Sequence, residues 1–390
     1  MENNYVEKTA IIVLACWDYE SLEIALYMHS RFMSENYKIF ILMNGWESYD
    51  CERTLMVAER YERLYPNNFK VIGPYGAQRA YYGIKDLINS KELENYEYVC
   101  KMDDDVFPLT KNWLEKLLDC YNDSYNKYKD NLAYVSSLVN NNPFGFKRII
   151  KNMDLEEEYH KLYARNYFAK KYYSDREYNA DNLSYDIKNN METFLVNKKD
   201  EIKDTVFASP IEFAYIARWI HIKTTLQYDK YIASCNTNKY YEADNTQQFS
   251  INCILFKKNF WNDIEDKSLK DKWKAHDEFY CFDYSRKNNK KIIVSEIPMV
   301  HLSFLGQREE NRDLFKVIRT YYEKLFPDVF PISTCQDEKY DLENRLRYIE
   351  RKVSTCDKLL PVIRNAINLI LWWIPGRKKR DDIRKKIGIW

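Results

Sequence analysis

The chain has 390 residues, 45% of them hydrophobic and 31% charged, which suits one large globular domain with appendages or two domains. Sixty Lys and Arg stand against 59 Asp and Glu, so no global field favours nucleic acid, and none is expected as a partner. No run reaches the roughly 18 apolar residues that a bilayer span needs.

Thr9–Cys16 is a short continuous apolar run, the pattern of a central parallel strand. Trp17 to Glu20 breaks it, and a helix follows with Leu22, Ala25, Leu26, His29 and Phe32 on its inner face. Tyr37–Met43 is a second strand, ended by the turn pair Asn44-Gly45. A helix from about Arg53 to Leu64 stops before Pro66, and Phe69–Ile72 is a third strand. Gly73 to Gly76 turns into a helix that runs to Ile88. Tyr96–Cys100 then reads as a buried strand and Trp113–Leu118 as a helix, with Lys101-Met-Asp-Asp-Asp-Val-Phe107 between them. Leu132–Ser136 adds a strand.

The order then loosens. Residues 147–204, dense in Tyr, Lys, Asp, Glu and Asn, read as helical insertions, and 211–235 as a more apolar helix. Phe249–Phe256 is strand-like, Trp273–Asn288 helical, and Lys291–Ile297 and Met299–Phe304 close the core. Strand and helix alternate at the length of βαβ units, which predicts an α/β fold: a mostly parallel sheet with helices on both faces. In such open sheets ligands sit beyond the carboxyl ends of the strands, where Asp103, Asp104 and Asp105 fall.

Three carboxylates at a strand end repel one another and need a compensating cation. A hard divalent ion such as Mg²⁺ or Mn²⁺ suits oxygen ligands and is often shared with substrate phosphates. A turn after the strand would let Asp103 and Asp105 reach one site. An acidic pair, Asp277-Glu278, opens a late helix, where the dipole and free backbone amides favour carboxylates and where one of them could act as a general base. His301 follows an apolar strand, a setting in which a hydrogen-bonded structural histidine and a ligand look alike.

The order of these pieces, over roughly residues 9–305, resembles a GT-A-fold, Rossmann-like nucleotide-sugar glycosyltransferase of the inverting family 2 layout. The triplet with its flanking Lys101-Met and Val-Phe107 is also similar to the DDD motif of fringe-type and β-1,3-galactosyltransferases. The resemblance implies that Asp103 faces the ribose or metal side, and that Asp105 binds the divalent ion bridging the diphosphate. His301 would complete the metal or diphosphate site. Asp277 and Glu278 take the place of the pair whose carboxylate deprotonates the acceptor hydroxyl. The family order is Glu-Asp and here it is reversed, so the choice between them stays open, although Glu278 holds the base position by its distance to the Arg286 segment. Trp17 and Asp18 match the loop that holds the nucleotide base, with Trp17 or Tyr19 available to stack. Asn44 stands where the family often has Asp, and Arg79 is placed to meet a phosphate.

The resemblance implies a metal-dependent inverting transfer, with Mn²⁺ or Mg²⁺, of a sugar from a nucleotide-diphosphate donor to a saccharide hydroxyl. A metal-dependent nucleotidyltransferase or phosphohydrolase is the alternative from another class, and a non-catalytic sugar-binding scaffold a further one.

The expected catalytic domain spans 1–331, with an insertion of about 147–245 shaping the acceptor side, and 332–390 forms a helical extension. Leu342, Leu346, Ile349 and Val353 make a short a/d stripe, which predicts packing on the body or a homodimer through 339–357. Residues 357–390 carry nine Lys or Arg against three acids, beside an apolar stretch with paired Trp372 and Trp373. That composition predicts an interfacial helix on an anionic membrane and a lipid-linked or membrane-proximal acceptor. Nine Cys without a CxxC pair, and no signal-peptide pattern at Met1–Lys8, predict a cytoplasmic setting at the inner face of the membrane.

Overall fold

β1 (Thr9–Ala15) lies inside a nine-stranded sheet, and its Ala10, Ile11, Ile12 and Val13 are wholly buried, as a run apolar on both faces requires. The structure is a computed structural model. It describes residues 5–44, 49–75, 80–140, 143–159, 161–162, 214–243, 251–264, 277–302 and 308–327. The chain divides into two compact units, Met1–Ile332 and Ser333–Trp390, and every described residue belongs to the first. The stripe at 339–357, the basic segment 357–390 and most of the 147–204 insertion therefore lie outside the described residues.

The remaining strands are β2 (Lys38–Asn44), β3 (Phe69–Tyr75), β4 (Tyr98–Asp103), β5 (Val106–Pro108), β6 (Leu132–Val139), β7 (Tyr240–Glu242), β8 (Cys253–Lys257) and β9 (Lys291–His301). Their order in the sheet is β3-β2-β1-β4-β8-β6-β9-β5, with β7 also paired to β9. β1 pairs in parallel with β2 and β4, β2 with β3, and β6 with β9. β8 runs antiparallel to both β4 and β6, and β5 and β7 run antiparallel to β9. The fold is α/β as expected, but the sheet is mixed and not mostly parallel. An apolar run looks the same in either direction, so nothing local in Cys253–Phe256 marks β8 as reversed.

Ten helices flank the sheet among the described residues: α1 (Tyr19–Phe32), α2 (Tyr49–Leu64), α3 (Ala80–Ile88), α4 (Trp113–Tyr128), α5 (Pro143–Asn152), α6 (Ala214–His221), α7 (Tyr228–Ser234), α8 (Lys258–Asp263), α9 (Asp277–Lys287) and α10 (Arg308–Leu325). The predicted inner face of α1 is buried throughout: Leu22, Ala25, Leu26, His29 and Phe32. The helix predicted at 211–235 is broken by a π turn at Ile222–Leu226, which separates α6 from α7. The two strands predicted around Pro298 are one, β9. Its register against β6 shifts between Ser136 and Leu138, so the proline sits at a bulge, where a missing N–H costs the ladder least.

Among the described residues no helix is long and apolar enough to cross a membrane.

Candidate active site

The strand directions bring the chemistry to one edge. β8 is reversed between β4 and β6, so the carboxyl ends of β2, β1, β4, β6 and β9 meet the amino end of β8 there. Asp103 ends β4, Asn140 follows β6, Asn252 precedes β8, and His301 ends β9. Gly145 in α5 makes part of this packing possible. A Cβ at that position would lie 2.1 Å from the Val139 carbonyl oxygen, so only glycine lets α5 seat on the end of β6.

Residues two apart on a strand share a face, so Lys101 points the same way as Asp103. Its ammonium is buried, at 1% exposure, and lies 2.5 Å from Asp103 Oδ1, 3.4 Å from Asp277 Oδ2 and 3.1 Å from the Ile251 carbonyl oxygen. These contacts hold its charge in the ammonium form and push its pKa up, against burial, which works the other way. Asn252 Nδ2 donates to the second Asp103 oxygen at 2.9 Å.

The triplet does not act as one cluster. Asp105, fully buried, pairs with His301, whose Nε2 is 3.1 Å from Asp105 Oδ1 and 3.4 Å from Asn252 Nδ2. Asp104 Oδ2 accepts from the Cys16 amide at 3.4 Å and so ties the loop after β1 to the end of β4. Asp103 and Asp105 are thus linked through the Asn252 and His301 side chains.

Asp277 and Glu278 open α9, as predicted, and Lys101 brings them to this edge. Burial, then the charges of Asp277 and Asp103, raise the Glu278 carboxyl to about 7, while Lys101 and His301 pull the other way. Among the described residues Glu278 makes no hydrogen bond or ion pair.

A second layer stands behind His301. Its backbone N–H donates to Asn140 Oδ1 at 2.8 Å, and Asn140 Nδ2 reaches Thr224 Oγ1 at 2.8 Å and His221 Nδ1 at 3.1 Å. Burial, with His301 adding to it, depresses the His221 pKa to about 3, so the ring is neutral and Nδ1 accepts. His221 and Thr224 come from the end of α6 and the π turn, an irregularity often found at functional sites.

Trp17 and Asp18 lie in the loop tied to Asp104. Trp17 is exposed, at 37%, whereas Asp18 is buried and caps α1 by accepting from the Ser21 amide at 3.3 Å. Asn44 ends β2 on the same edge, and its Oδ1 would stand 3.0 Å from a Cβ on Gly83, so it packs directly on α3. Arg79 lies outside the described residues. Asn140, Asn252 and His221 are not singled out by the sequence, and Lys101 enters there only as a flank of the acidic triplet. Its place inside the apolar run Tyr98-Val-Cys-Lys-Met is the signal that could have marked Lys101 as a buried charge in need of partners.

Among the described residues no three His, Cys, Asp or Glu side chains stand in position to hold a metal ion by themselves. The oxygen donors at this edge, two carboxylates and the Asn252 side-chain oxygen, buried without a hydrogen-bond partner, are of the type a hard divalent ion takes, with the His301 imidazole as a borderline donor beside them. Ions of the Mg²⁺ class are commonly held by one or two carboxylates and completed by substrate phosphates and water. The residues fit such a shared site and not an all-protein cage.

Neither a known protein-family model nor a curated protein sequence matches the chain.

Proposed function

We propose that this chain is a metal-dependent, inverting glycosyltransferase of the GT-A type. In this reading it moves a sugar from a nucleotide-diphosphate donor, a UDP-sugar, to a hydroxyl of a surface-glycan or lipid-linked saccharide. The observation that carries the reading is the convergence across Lys101. The acidic strand end and the acidic helix start, far apart in sequence, share one buried cation at the carboxyl edge of the sheet.

Asp105 and His301, with Asp103 beside them, would hold Mn²⁺ or Mg²⁺ together with the donor diphosphate. When bound, the ion supplies Lewis-acid stabilisation of the leaving diphosphate. The nucleotide base belongs against Trp17 and Asn44, at the ends of β1 and β2, which adjoin the strand of Asp103. The pair at α9 then supplies the carboxylate that takes the acceptor proton. A carboxyl raised to about 7 suits that task, because it is ionised near neutral pH yet basic enough to receive a proton. A base that acts on the acceptor in a single displacement inverts the anomeric centre.

The test is a panel of UDP-glucose, UDP-galactose and UDP-N-acetylglucosamine with Mn²⁺, read as release of UDP. Turnover of one donor that disappears with chelator supports the reading, and phosphate or nucleotide-monophosphate release from every substrate favours a phosphohydrolase instead.

A further inference from the structure

The acidic pair at the start of α9 holds two carboxylates and the proposed reaction needs one base. We propose that Lys101 is a positioning residue that divides their work. Its ammonium clamps Asp277, and with it the first turn of α9, onto the strand of Asp103, so Asp277 is the tether and Glu278 is the base. The role of Glu278 rests on the glycosyltransferase reading; the clamp does not.

The geometry supports this in three ways. Lys101 joins three segments: its ammonium donates to Asp103 Oδ1 on β4 and to the Ile251 carbonyl before β8, and pairs by charge with Asp277 Oδ2 on α9 at 3.4 Å. A charge so far out of water persists only where its donors are met, so these contacts fix where α9 begins relative to β4. The two acids also differ in what they face. Asp277 directs a carboxylate oxygen at the ammonium, and accepting a proton there would give up that pairing. Glu278, one residue on, has no such commitment among the described residues and lies within electrostatic reach of Asp103, Lys101 and His301.

Asparagine keeps an acceptor for Lys101 and cannot act as a base, which separates the two roles. With the best donor of the panel and Mn²⁺, Asp277→Asn should keep kcat within roughly tenfold of the wild type and leave the donor KM unchanged. Asp277→Ala should lose roughly 100-fold in kcat, the scale of an ångström-sized misplacement. Glu278→Gln should fall by about 10²–10⁴, the scale of a lost general base. In a Lys101→Met background Asp277→Ala should add almost nothing, because both changes remove the same contact. Amide hydrogen exchange reads the clamp without any turnover: Asp277→Ala and Lys101→Met should each speed exchange in the first turn of α9 and leave β1 unchanged. If Lys101→Met does not fold, Asp277→Ala alone carries both measurements.

Asp277→Asn as inactive as Asp277→Ala, with Glu278→Gln active, would make Asp277 the base and overturn the division. Unchanged exchange in α9 would overturn the clamp. A wild type inert towards every donor would instead remove the glycosyltransferase reading, and the exchange experiment would still decide on the clamp.

Discussion

The ammonium of Lys101 stands 3.4 Å from the Asp277 carboxylate, and this contact joins the strand bearing the acidic triplet to the helix bearing Glu278. Removing it should cost stability as well as position. Breaking a buried ion pair from one side costs about 3–5 kcal/mol. Here Asp103 and Asp277 keep some contact with water, at 26% and 16% side-chain exposure, so Lys101→Met should destabilise by about 3 kcal/mol, at the lower end of that range. Denaturant unfolding of Lys101→Met against the wild type measures this, and a midpoint shift near zero would mean that the ammonium contributes nothing net.

Glu278 makes both activity and stability depend on pH. Its carboxyl rises from 4.5 to about 7 on folding, so transfer should climb through an acid limb centred near 7. The folded value lies above the unfolded one, so the folded protein binds this proton more tightly. The resulting stabilisation is complete below pH 4.5 and is lost as pH rises to about 7. The loss is on the order of 2–3 kcal/mol once partial solvation is allowed for. Glu278→Gln should therefore be the more stable protein at pH 8, with that advantage shrinking towards pH 4.5, even though transfer is lost. Equal stability of the two proteins at both pH values would contradict the burial of this carboxyl.

Asn140 serves three buried groups: the His301 N–H, His221 Nδ1 and Thr224 Oγ1. Asn140→Leu leaves the His301 N–H and His221 Nδ1 without their partner at a cost of roughly 1–3 kcal/mol each, while Thr224 Oγ1 keeps its bond to the Ile220 carbonyl. We expect a total loss of at least about 2 kcal/mol, together with a higher Mn²⁺ concentration for half-maximal activity, because His301 is no longer held against Asp105. Metal titration of activity checks the second effect; an unchanged Mn²⁺ requirement would show that His301 keeps its place without Asn140.

The basic segment 357–390 should bind anionic membrane. Flotation with vesicles containing phosphatidylserine, comparing the full chain with one lacking these residues, measures it. Equal binding by both forms would remove the membrane role from this segment.

Much of the fold can be read from local pattern. β1, β2 and β4 are continuous apolar runs, α1 shows its inner face at helical spacing, and the acids fall where strands end. Direction and distance are what local pattern lacks. β8 reads as a strand but not as a reversed one, and β5, three residues with a proline, is too short to carry any period. Val106-Phe-Pro pairs only because β9 passes beside it. The same holds at the candidate site. Asp103, Asp105, His301 and the acidic pair stand out by residue type. Asn140 falls past the strand expected at Leu132–Ser136, Asn252 inside the strand-like run Phe249–Phe256, and His221 in the helix expected at 211–235. Their partners are supplied by strands and helices far along the chain, so no window around them shows what they hold. Lys101 is the intermediate case: visible as a charge in an apolar strand, with its partner on α9 visible only once the chain has folded.

The most direct test of the account is UDP-sugar turnover, with and without Mn²⁺, by the wild type, Asp105→Asn and Glu278→Gln. We predict Mn²⁺-dependent turnover by the wild type, loss of it in both variants, and unchanged circular dichroism in all three. Full activity retained by both variants would contradict the site.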